Sequence, residues 1–569
     1  MLARNSKRRG YFSIIPALLL LTVLAALGTY AKITRPKDTG NSRYEVPIEQ
    51  MFSGRMVGLL GKIGTANVVP DVKVLEEIKS ESQNVSPRSI LNYSTIARSR
   101  YALDQDPLLT SDIIKRNLPI VSLIVSPHDL SLGEKSLFKN PLLHGDDWEK
   151  PAYFSFYDQG KVVLRSGVGL RLNGGETRRY NRFISFRLYF RDIYGRDAID
   201  SKPIFNQDLG QLKSLTLHSD LRKGVRDVGD VWQFVNPFSY DLARQAGEIA
   251  SQTKPVQLFL NGKERGIFVM TERQDRNFLL KHFGHSDFVK IDLREQLAGA
   301  AVAEIGDAKL RDNFRDWVHS YRPKMTLQVA QTKVDLRSLM IWFLLSTYGA
   351  NTDPFQGYAY LNLRDSEARW FWSIWDFDHS FRDVYGARRD PWNGNTFWMM
   401  LKNKAMVALL PELKLIRRLQ REDPEFSKYL ARLYSEVFNH RLTSSFINSR
   451  IDYYELLSKN FNSIHHRQFG RMRNFFEKRP DVFCRQLNAY FKVGESYNFS
   501  IFAAPSVQYS IDGYQKSGNH HGRYFKKAPP ILELESSKHR IISSAGSELE
   551  LGQVAQALQQ GSDLALKIE

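Results

Sequence analysis

The chain has 569 residues, of which 42% are hydrophobic and 12% aromatic, and this composition excludes a largely disordered protein. The length allows roughly two to four domains. The formal net charge is +19, which favours acidic proteins, phosphates or anionic lipid as partners, although ordinary solubility charge explains it equally well. Because the basic residues are spread along the chain without a nucleic-acid-binding motif, we expect no nucleic-acid partner. The single cysteine, Cys484, excludes an intramolecular disulfide and a cysteine-based metal site.

The N-terminus carries a targeting signal. An uncharged run from Gly10 to Ala31 follows a short basic tail. As a helix this run would span roughly 33 Å, enough to cross a bilayer. We therefore interpret residues 1–31 as a cytoplasmic tail and an uncleaved transmembrane anchor, with the main domain outside the cytoplasm, in the periplasm or at the cell surface. A cleaved signal peptide is the alternative, because Thr29-Tyr30-Ala31 resembles a cleavage site.

Residues 32–115 show no clear periodicity, and we interpret them as a stalk or linker. Strand-like patterns then predominate up to residue 273, and helical patterns from 275 to 490, so the sequence predicts a two-lobed α+β body. The predicted elements of the first lobe are the strands 118–126, 152–174 with a turn at 158–160, 184–195 and 214–220, the helix 238–246, and the hairpin 255–273 around the tight-turn pair Asn261-Gly262.

One stretch, residues 344–382, combines the end of an apolar helix, a polar loop and an aromatic hairpin. Asp353 lies in the loop, and Asp376 and Asp378 end the second hairpin strand. Because a hairpin brings its two ends together, we expect these carboxylates to converge. Such a group suits Mg²⁺ with a phosphate ligand, or one base plus one metal ligand, whereas a surface hairpin with capping aspartates is the alternative. The predicted elements are the helix 336–348 and the strands 358–363 and 370–375.

The order of a helix, a loop aspartate, a hairpin and a strand-end aspartate is that of the catalytic half of a protein kinase. Beyond it the pattern is helical until a small β module at residues 493–569. The predicted helices are 404–421, 425–438, 442–461 and 467–491. Several histidines lack a metal-ligand context and are interpreted as ordinary polar or surface residues: His285, His379, His465, His466, His520 and His521.

With these elements placed, the chain resembles the CotH-type (spore-coat protein H) atypical protein kinases from about Leu118 to Phe491. The resemblance gives a kinase-like domain at residues 116–492, with a β-rich N-lobe and a helical C-lobe. It rests on several motifs in the family's order: LPIVSLIVSPHDL, GLRLNGGETRRYNRFISFRLYFRDIYG, VQLFLNGKERGIFVMTER, GANTDPFQG, WSIWDFDHSF and FFEKRPDVFCRQLNAYF.

The resemblance implies binding of ATP with Mg²⁺ or Mn²⁺ and transfer of the γ-phosphate to serine or threonine. Asp353 would orient the acceptor hydroxyl or accept its proton. Asp376 would hold the metal, and Asp378 would assist it or order the loop. Glu272 falls where a kinase hinge lies and would contact the adenosine, or would form a strand-end salt bridge instead. The turn that contains Gly174, Gly175 and Arg178 would lie over the phosphates.

Two positions depart from the family pattern. The family has lysine just before its Ser-Phe-Arg strand, where this chain has Phe183 and Ile184. Arg182 or Arg187 would then contact phosphate in its place, although arginine and lysine are not equivalent. The family also has a metal-binding asparagine about five residues after the loop aspartate, where this chain has Tyr358, so a neighbouring amide, Gln356, is the candidate substitute.

Three functions follow from these observations. The first is a membrane-anchored kinase that phosphorylates Ser/Thr-rich exported or envelope proteins. The second is a catalytically inactive protein that retains the fold for surface binding or assembly, and the two departures favour it. The third is a metal-dependent hydrolase that uses the same carboxylates with water as acceptor.

Overall fold

The computed structural model describes residues 118–174, 178, 184–219, 234–296, 303–365, 367–381, 390–459, 463–535 and 539–569. The predicted anchor at 1–31 and stalk at 32–115 lie outside these ranges. None of the helices within these ranges is long and apolar enough to cross a membrane.

The first lobe is a closed seven-stranded barrel with the strand order β1-β2-β3-β4-β7-β9-β8. Neighbouring strands are antiparallel except β1 and β8, which are parallel. The predicted strands and the hairpin at Asn261-Gly262 are confirmed, except that the strand predicted at 184–195 ends at Tyr189 and a 3-10 helix, Asp192–Tyr194, follows it. The closure of the barrel was not predicted. The strands are β1 Ile120–Val125, β2 Lys150–Asp158, β3 Lys161–Asn173, β4 Ser185–Tyr189, the short ribbon β5 Ile199–Asp200 and β6 Gln211–Leu212, β7 Ser214–His218, β8 Thr253–Leu260 and β9 Lys263–Glu272.

Side-chain alternation divides each barrel strand between two environments. On β4, Phe186 and Leu188 point into the apolar barrel core, whereas Arg187 and Tyr189 point outward. The hairpin turn between β8 and β9 is formed by Asn261 (φ 49°) and Gly262 (φ 73°), the left-handed conformation that this pair adopts readily. The barrel therefore presents a polar outer face along β3, β4 and β7.

The second lobe combines helices with a four-stranded sheet of order β11-β10-β12-β13. Its strands are β10 Phe288–Asp292, β11 Ala303–Ile305, β12 Tyr358–Asn362 and β13 Trp370–Ser373. The helices in chain order, beginning within the barrel, are α1 Lys202–Phe205, α2 Val235–Gln245, α3 Arg276–Phe283, α4 Leu293–Gln296, α5 Lys309–Ser320, α6 Leu327–Gln331, α7 Leu336–Tyr348, α8 Thr396–Leu401, α9 Lys404–Leu409, α10 Pro411–Glu422, α11 Phe426–Tyr434, α12 Ser444–Ser458 and α13 Ser463–Phe491.

Most of the predicted helices are confirmed, but the helix predicted at 404–421 is wrong in one respect. It is two helices, because Pro411 lacks a backbone N–H and clashes with the preceding turn, so it begins a new helix instead of continuing one. Helix α7 has the predicted bounds and begins at the N-cap Asp335, whose carboxylate accepts the Ser338 N–H at 3.0 Å. The Ser338 hydroxyl in turn accepts the Trp372 backbone N–H at 2.6 Å, and this hydrogen bond joins α7 to β13.

The C-terminal residues form a module with its own apolar core. The predicted β character is confirmed, but one helix was missed. The elements are β14 Ser496–Ala503, β15 Gln508–Ile511, β16 Tyr514–Ser517, β17 His520–Phe525, β18 Leu532–Leu534, β19 Ile541–Ser543, β20 Glu548–Leu549, α14 Leu551–Gln560 and β21 Leu564–Ile568. The Asp512 carboxylate accepts a hydrogen bond from the Ser435 hydroxyl at 2.9 Å and so attaches the module to the helical lobe.

Candidate functional site

A polar cleft lies where the outer face of the barrel meets the four-stranded sheet. From the barrel, the His218 ring reaches the Trp375 ring, with their centroids 5.9 Å apart. Trp375 follows β13 and packs against Tyr358 of β12, with ring centroids 5.5 Å apart. Asp376 is the next residue. The end of β7 and the end of β13 therefore meet beside the strand-end aspartates.

The loop between α7 and β12 holds Asp353 in a defined orientation. The Asn351 side-chain oxygen accepts the Asp353 backbone N–H at 2.8 Å, and Asn351 itself is fully buried. Gln356 donates its side-chain amide to Asp353 Oδ2 at 3.0 Å, and its backbone carbonyl accepts the Trp342 indole N–H at 2.9 Å. The half-buried Asp353 carboxylate is thus oriented by a buried amide, as a proton acceptor requires.

Asp376 adopts the left-handed conformation, with φ 54°. Non-glycine residues pay a conformational cost there, and such strain concentrates at ligand sites. Its backbone N–H donates to the Tyr240 hydroxyl at 3.4 Å, and the Tyr240 ring stacks on Trp375 with centroids 6.1 Å apart. The half-buried carboxylate is therefore presented by a backbone turn that neighbouring aromatic rings support.

The loops that carry Asp353 and Asp376 lie side by side. The Thr352 backbone N–H donates to the His379 carbonyl at 3.2 Å, and the Thr352 hydroxyl lies 3.3 Å from His379 Nδ1. His379 Nε2 lies 3.8 Å from Asp378 Oδ1. His379 was predicted to be an ordinary polar or surface residue. The structure buries it to 6% exposure, because it fills the space between the two loops and connects them.

The chemistry of these side chains fits a hard divalent cation, because Asp376 and Asp378 supply carboxylate oxygens at one strand end. No group of three or more His, Cys, Asp or Glu side chains with metal-site spacing occurs within the part of the chain that the structure describes. Mg²⁺ commonly uses one or two carboxylates and takes its remaining ligands from phosphate and water. The amide of Gln356 faces Asp353 in this structure, so its coordination of a metal stays a prediction.

Of the predicted nucleotide-binding residues, Arg187 reaches the cleft through Asn173, whose amide nitrogen lies 3.3 Å from His218 Nε2. Arg187 also lines a cavity of about 240 Å³ on the outer face of β3 and β4. Its guanidinium donates to Asn173 Oδ1 at 2.9 Å and to the Tyr189 hydroxyl at 3.4 Å. Gly174 has φ 104°, which requires glycine at this exit from β3, and Arg178 donates to the carbonyl of Leu143 at 3.5 Å. Two other predicted residues, Gly175 and Arg182, lie outside the described ranges. The cavity is lined by Leu137, Leu143, His144, Gly145, Trp148, Arg171, Leu172, Arg187 and Tyr189.

The end of β9 presents Arg273, not Glu272, to this cleft. Glu272 is 2% exposed and accepts the Gln252 backbone N–H at 3.0 Å. Burial raises its pKa to about 7. The Arg273 guanidinium lies 5.7 Å from the Tyr189 ring and donates to the Ser214 hydroxyl at 3.4 Å. The contact of Glu272 with adenosine stays a prediction, whereas Arg273 is a cleft residue that the sequence reasoning missed, although side-chain alternation along β9 places residues 272 and 273 on opposite faces.

A second missed feature is an ion pair between a buried lysine and a more exposed glutamate in the sheet wall of the cleft. Lys290 Nζ lies 2.5 Å from Glu304 Oε2, and 3.5 Å from the centre of the Tyr358 ring. Tyr358 is the residue at the position of the family's asparagine, and here its ring supports an ammonium group. A lysine between apolar residues in the strand FVKID is the sequence signal that could have shown this site.

Side-chain alternation along β4 explains why position 184, where the resemblance leads us to expect a lysine, is apolar. Ile184 packs against the apolar core of the barrel, whereas the next residue, Ser185, begins β4. A cation at position 184 would compete with this packing. Phe183 lies outside the described residues.

One comparison with known proteins found a family. A family model described as CotH kinase protein matches residues 170–493, which contain both carboxylate loops, Arg187, Arg273 and Lys290. No curated protein matches the chain.

Proposed function

The chain belongs to the CotH kinase protein family, and from this premise we propose that it transfers the γ-phosphate of ATP to serine or threonine hydroxyls of other proteins. The observation that supports the proposal is the contact of Thr352 with His379, which joins the loops that carry Asp353 and Asp376. Kinases need little covalent chemistry from the protein, so positioned carboxylates and cations are the parts that matter.

The roles follow from the environment of each side chain. Asp353 accepts the proton of the acceptor hydroxyl while the hydroxyl oxygen bonds to phosphorus and the bond to the leaving ADP breaks. Gln356 keeps Asp353 oriented through its 3.0 Å hydrogen bond. Asp376 and Asp378 would hold the divalent metal, which offsets phosphate charge. Arg187 donates to phosphate oxygens from the barrel face of the cleft.

The test is phosphotransfer by the full chain with ATP and either Mg²⁺ or Mn²⁺, followed by ADP formation and by intact mass of the protein and of an added Ser-rich substrate. Asp353→Asn should lower the rate by about 10²–10⁴-fold, the range for a lost general base. Asp376→Asn should abolish transfer. Asp365→Asn is the matched control, because Asp365 lies in the turn at the far end of the same hairpin, where its side chain accepts the Glu367 backbone N–H at 3.0 Å. Equal rates in all three variants would refute the proposal.

A catalytically inactive binding protein is the second candidate. The observation that favours it is the packing of Ile184 into the barrel core, which leaves the usual lysine position apolar. This candidate predicts no phosphate transfer in either metal. Retained stabilisation by ATP would then indicate a nucleotide-binding scaffold.

We also propose that the uncharged run at residues 10–31 anchors the protein in a membrane, with the kinase-like domain outside the cytoplasm. The support is the length of the run alone. Release of the protein from membranes by carbonate without detergent would refute an anchor. Digestion of the domain by protease added to intact spheroplasts would support the orientation.

A further inference from the structure

Three cationic side chains lie close together on the barrel and sheet walls of the cleft. Arg187, Arg273 and Lys290 converge on it from β4, β9 and β10, and Glu304 is the carboxylate that forms an ion pair with this group. Within the described ranges, neither guanidinium forms an ion pair with a carboxylate: Arg187 donates to Asn173 and Tyr189, and Arg273 to Ser214. The direct hydrogen-bond partners of both guanidiniums are therefore neutral, and the nearby charge of Asp275 offsets only part of the burial of Arg273.

The two arginines also act on each other. Burial lowers the pKa of Arg273, and the charge of Arg187 lowers it further. Burial alone would raise the pKa of Glu304, but Lys290, and then Arg273 and Arg187, hold it below its ordinary value. The Glu304 carboxylate thus responds to three cations. Two further carboxylates in this region have other contacts: Asp275 caps α3, and Asp292 accepts the Arg294 backbone N–H.

Lys290 forms an ion pair with Glu304, so this carboxylate does not pair directly with either arginine. Its ammonium is buried, bonded to Glu304 and stacked on Tyr358, so it is held in place from two sides. With Glu304 engaged by Lys290, the guanidiniums of Arg187 and Arg273 remain available to an anion. Two guanidinium groups with planar donor forks suit the non-bridging oxygens of a polyphosphate.

We propose that Arg187 and Arg273 bind the polyphosphate of the nucleotide, and that the Lys290–Glu304 pair positions them for it, which compensates for the lysine absent before β4. This inference rests on the proposed nucleotide-dependent function and adds Arg273, Lys290 and Glu304 to the residues already assigned to the nucleotide. Arg187 and Arg273 are binding residues. Lys290 and Glu304 are positioning residues, since their own charges are mutually satisfied.

The test is titration calorimetry of the full chain with sodium tripolyphosphate at constant ionic strength and without divalent metal. We expect the unsubstituted protein to bind, and Arg187→Met and Arg273→Met each to weaken binding at least tenfold. Arg273→Lys should recover part of the loss, because it restores charge without the fork. Arg191→Met is the matched control: Arg191 also stacks on Tyr189, at 5.0 Å, but is neutralised by Glu149. It should bind within about twofold of the unsubstituted protein.

Thermal stability separates a binding role from a structural one. Because Arg273 faces another arginine, Arg273→Met removes repulsion and should leave the midpoint of thermal unfolding unchanged or raise it. A lower midpoint with normal tripolyphosphate affinity would overturn the proposal. So would absence of tripolyphosphate binding by the unsubstituted protein.

The positioning pair has its own test. Lys290→Met should weaken tripolyphosphate binding, because it frees Glu304 to neutralise the arginines. Adding Glu304→Gln should restore binding, because the double variant again leaves both guanidiniums with neutral direct partners. A double variant that binds as weakly as Lys290→Met would refute this role.

The outcomes distinguish this inference from the proposed function. Tripolyphosphate binding that depends on Arg187 and Arg273, in a protein without phosphotransfer, would uphold the cation site and reject the kinase. Phosphotransfer with an unchanged KM for ATP in Arg273→Met would uphold the kinase and reject the cation site.

Discussion

Replacing Glu272 by glutamine should stabilise the protein at neutral and alkaline pH but not at acidic pH. Glu272 is the last residue of β9 and is 2% exposed. Burial raises its pKa from 4.5 to about 7, with Lys281 acting in the opposite direction. In the unfolded chain the carboxyl loses its proton near pH 4.5, whereas in the folded chain it keeps the proton until about pH 7. The folded state therefore binds more protons between these values, and stability falls as pH rises through this window.

The magnitude follows from the two pKa values. The interval from 4.5 to about 7 corresponds to about 3 kcal/mol at about 1.36 kcal/mol per pKa unit. Glutamine resembles the protonated carboxyl and retains an oxygen to accept the Gln252 N–H, which is 3.0 Å from the carboxylate. We therefore expect Glu272→Gln to raise the free energy of unfolding by about 3 kcal/mol above pH 8, and to change it little below pH 4.5.

The measurement is thermal and urea unfolding of the full chain with and without the substitution at half-unit steps from pH 4.5 to 8.5. Glu264→Gln is the control, because Glu264 lies on the same strand but is exposed. A stabilisation of equal size at every pH would refute the reasoning, because it would show an effect of packing instead of ionisation. Destabilisation at pH 8 would show that the ionised carboxylate serves the fold.

Three further predictions concern the supports of the site. Glu412→Gln should destabilise the protein by about 3–5 kcal/mol in urea unfolding, because it leaves the fully buried Arg311, 2.6 Å from Glu412, without its counter-charge. A loss below about 1 kcal/mol would contradict it. Gly357→Ala should lower stability by at least about 1–3 kcal/mol, because φ is 139° and the added carbon would lie 2.9 Å from the Trp342 indole nitrogen. An unchanged unfolding midpoint would be the contrary result. His379→Ala should raise the activation free energy calculated from kcat by more than it lowers the free energy of unfolding, because it disconnects the two carboxylate loops. A kcat equal to that of the unsubstituted protein in steady-state kinetics would contradict this.

Local sequence patterns predicted most of the secondary structure. The Asn261-Gly262 pair fixes its hairpin because both residues adopt the left-handed conformation. The apolar run of α7 was predicted with the observed bounds because nearly all of its faces are buried. Closure of the barrel could not be predicted, because it depends on the parallel pairing of β1 with β8, between residues more than a hundred positions apart.

The candidate site was predicted unevenly for a related reason. Asp353 and Asp376 stand in a motif with a recognisable order, so they could be singled out. Arg273 ends the hairpin motif but carries no signal of its own there, and Lys290 belongs to no motif. Only the packing of β10 beside the barrel shows that the two side chains share a cleft. His379 was missed because a histidine next to an aspartate does not show that it also reaches Thr352.

The two departures from the family pattern are connected through the cleft. Ile184 packs against the barrel core, so this position supplies no cation. Tyr358 replaces a metal-binding amide in the opposite wall and provides the ring on which the Lys290 ammonium rests, 3.5 Å away. An asparagine at 358 would offer no aromatic face, so the buried ammonium would lose this contact.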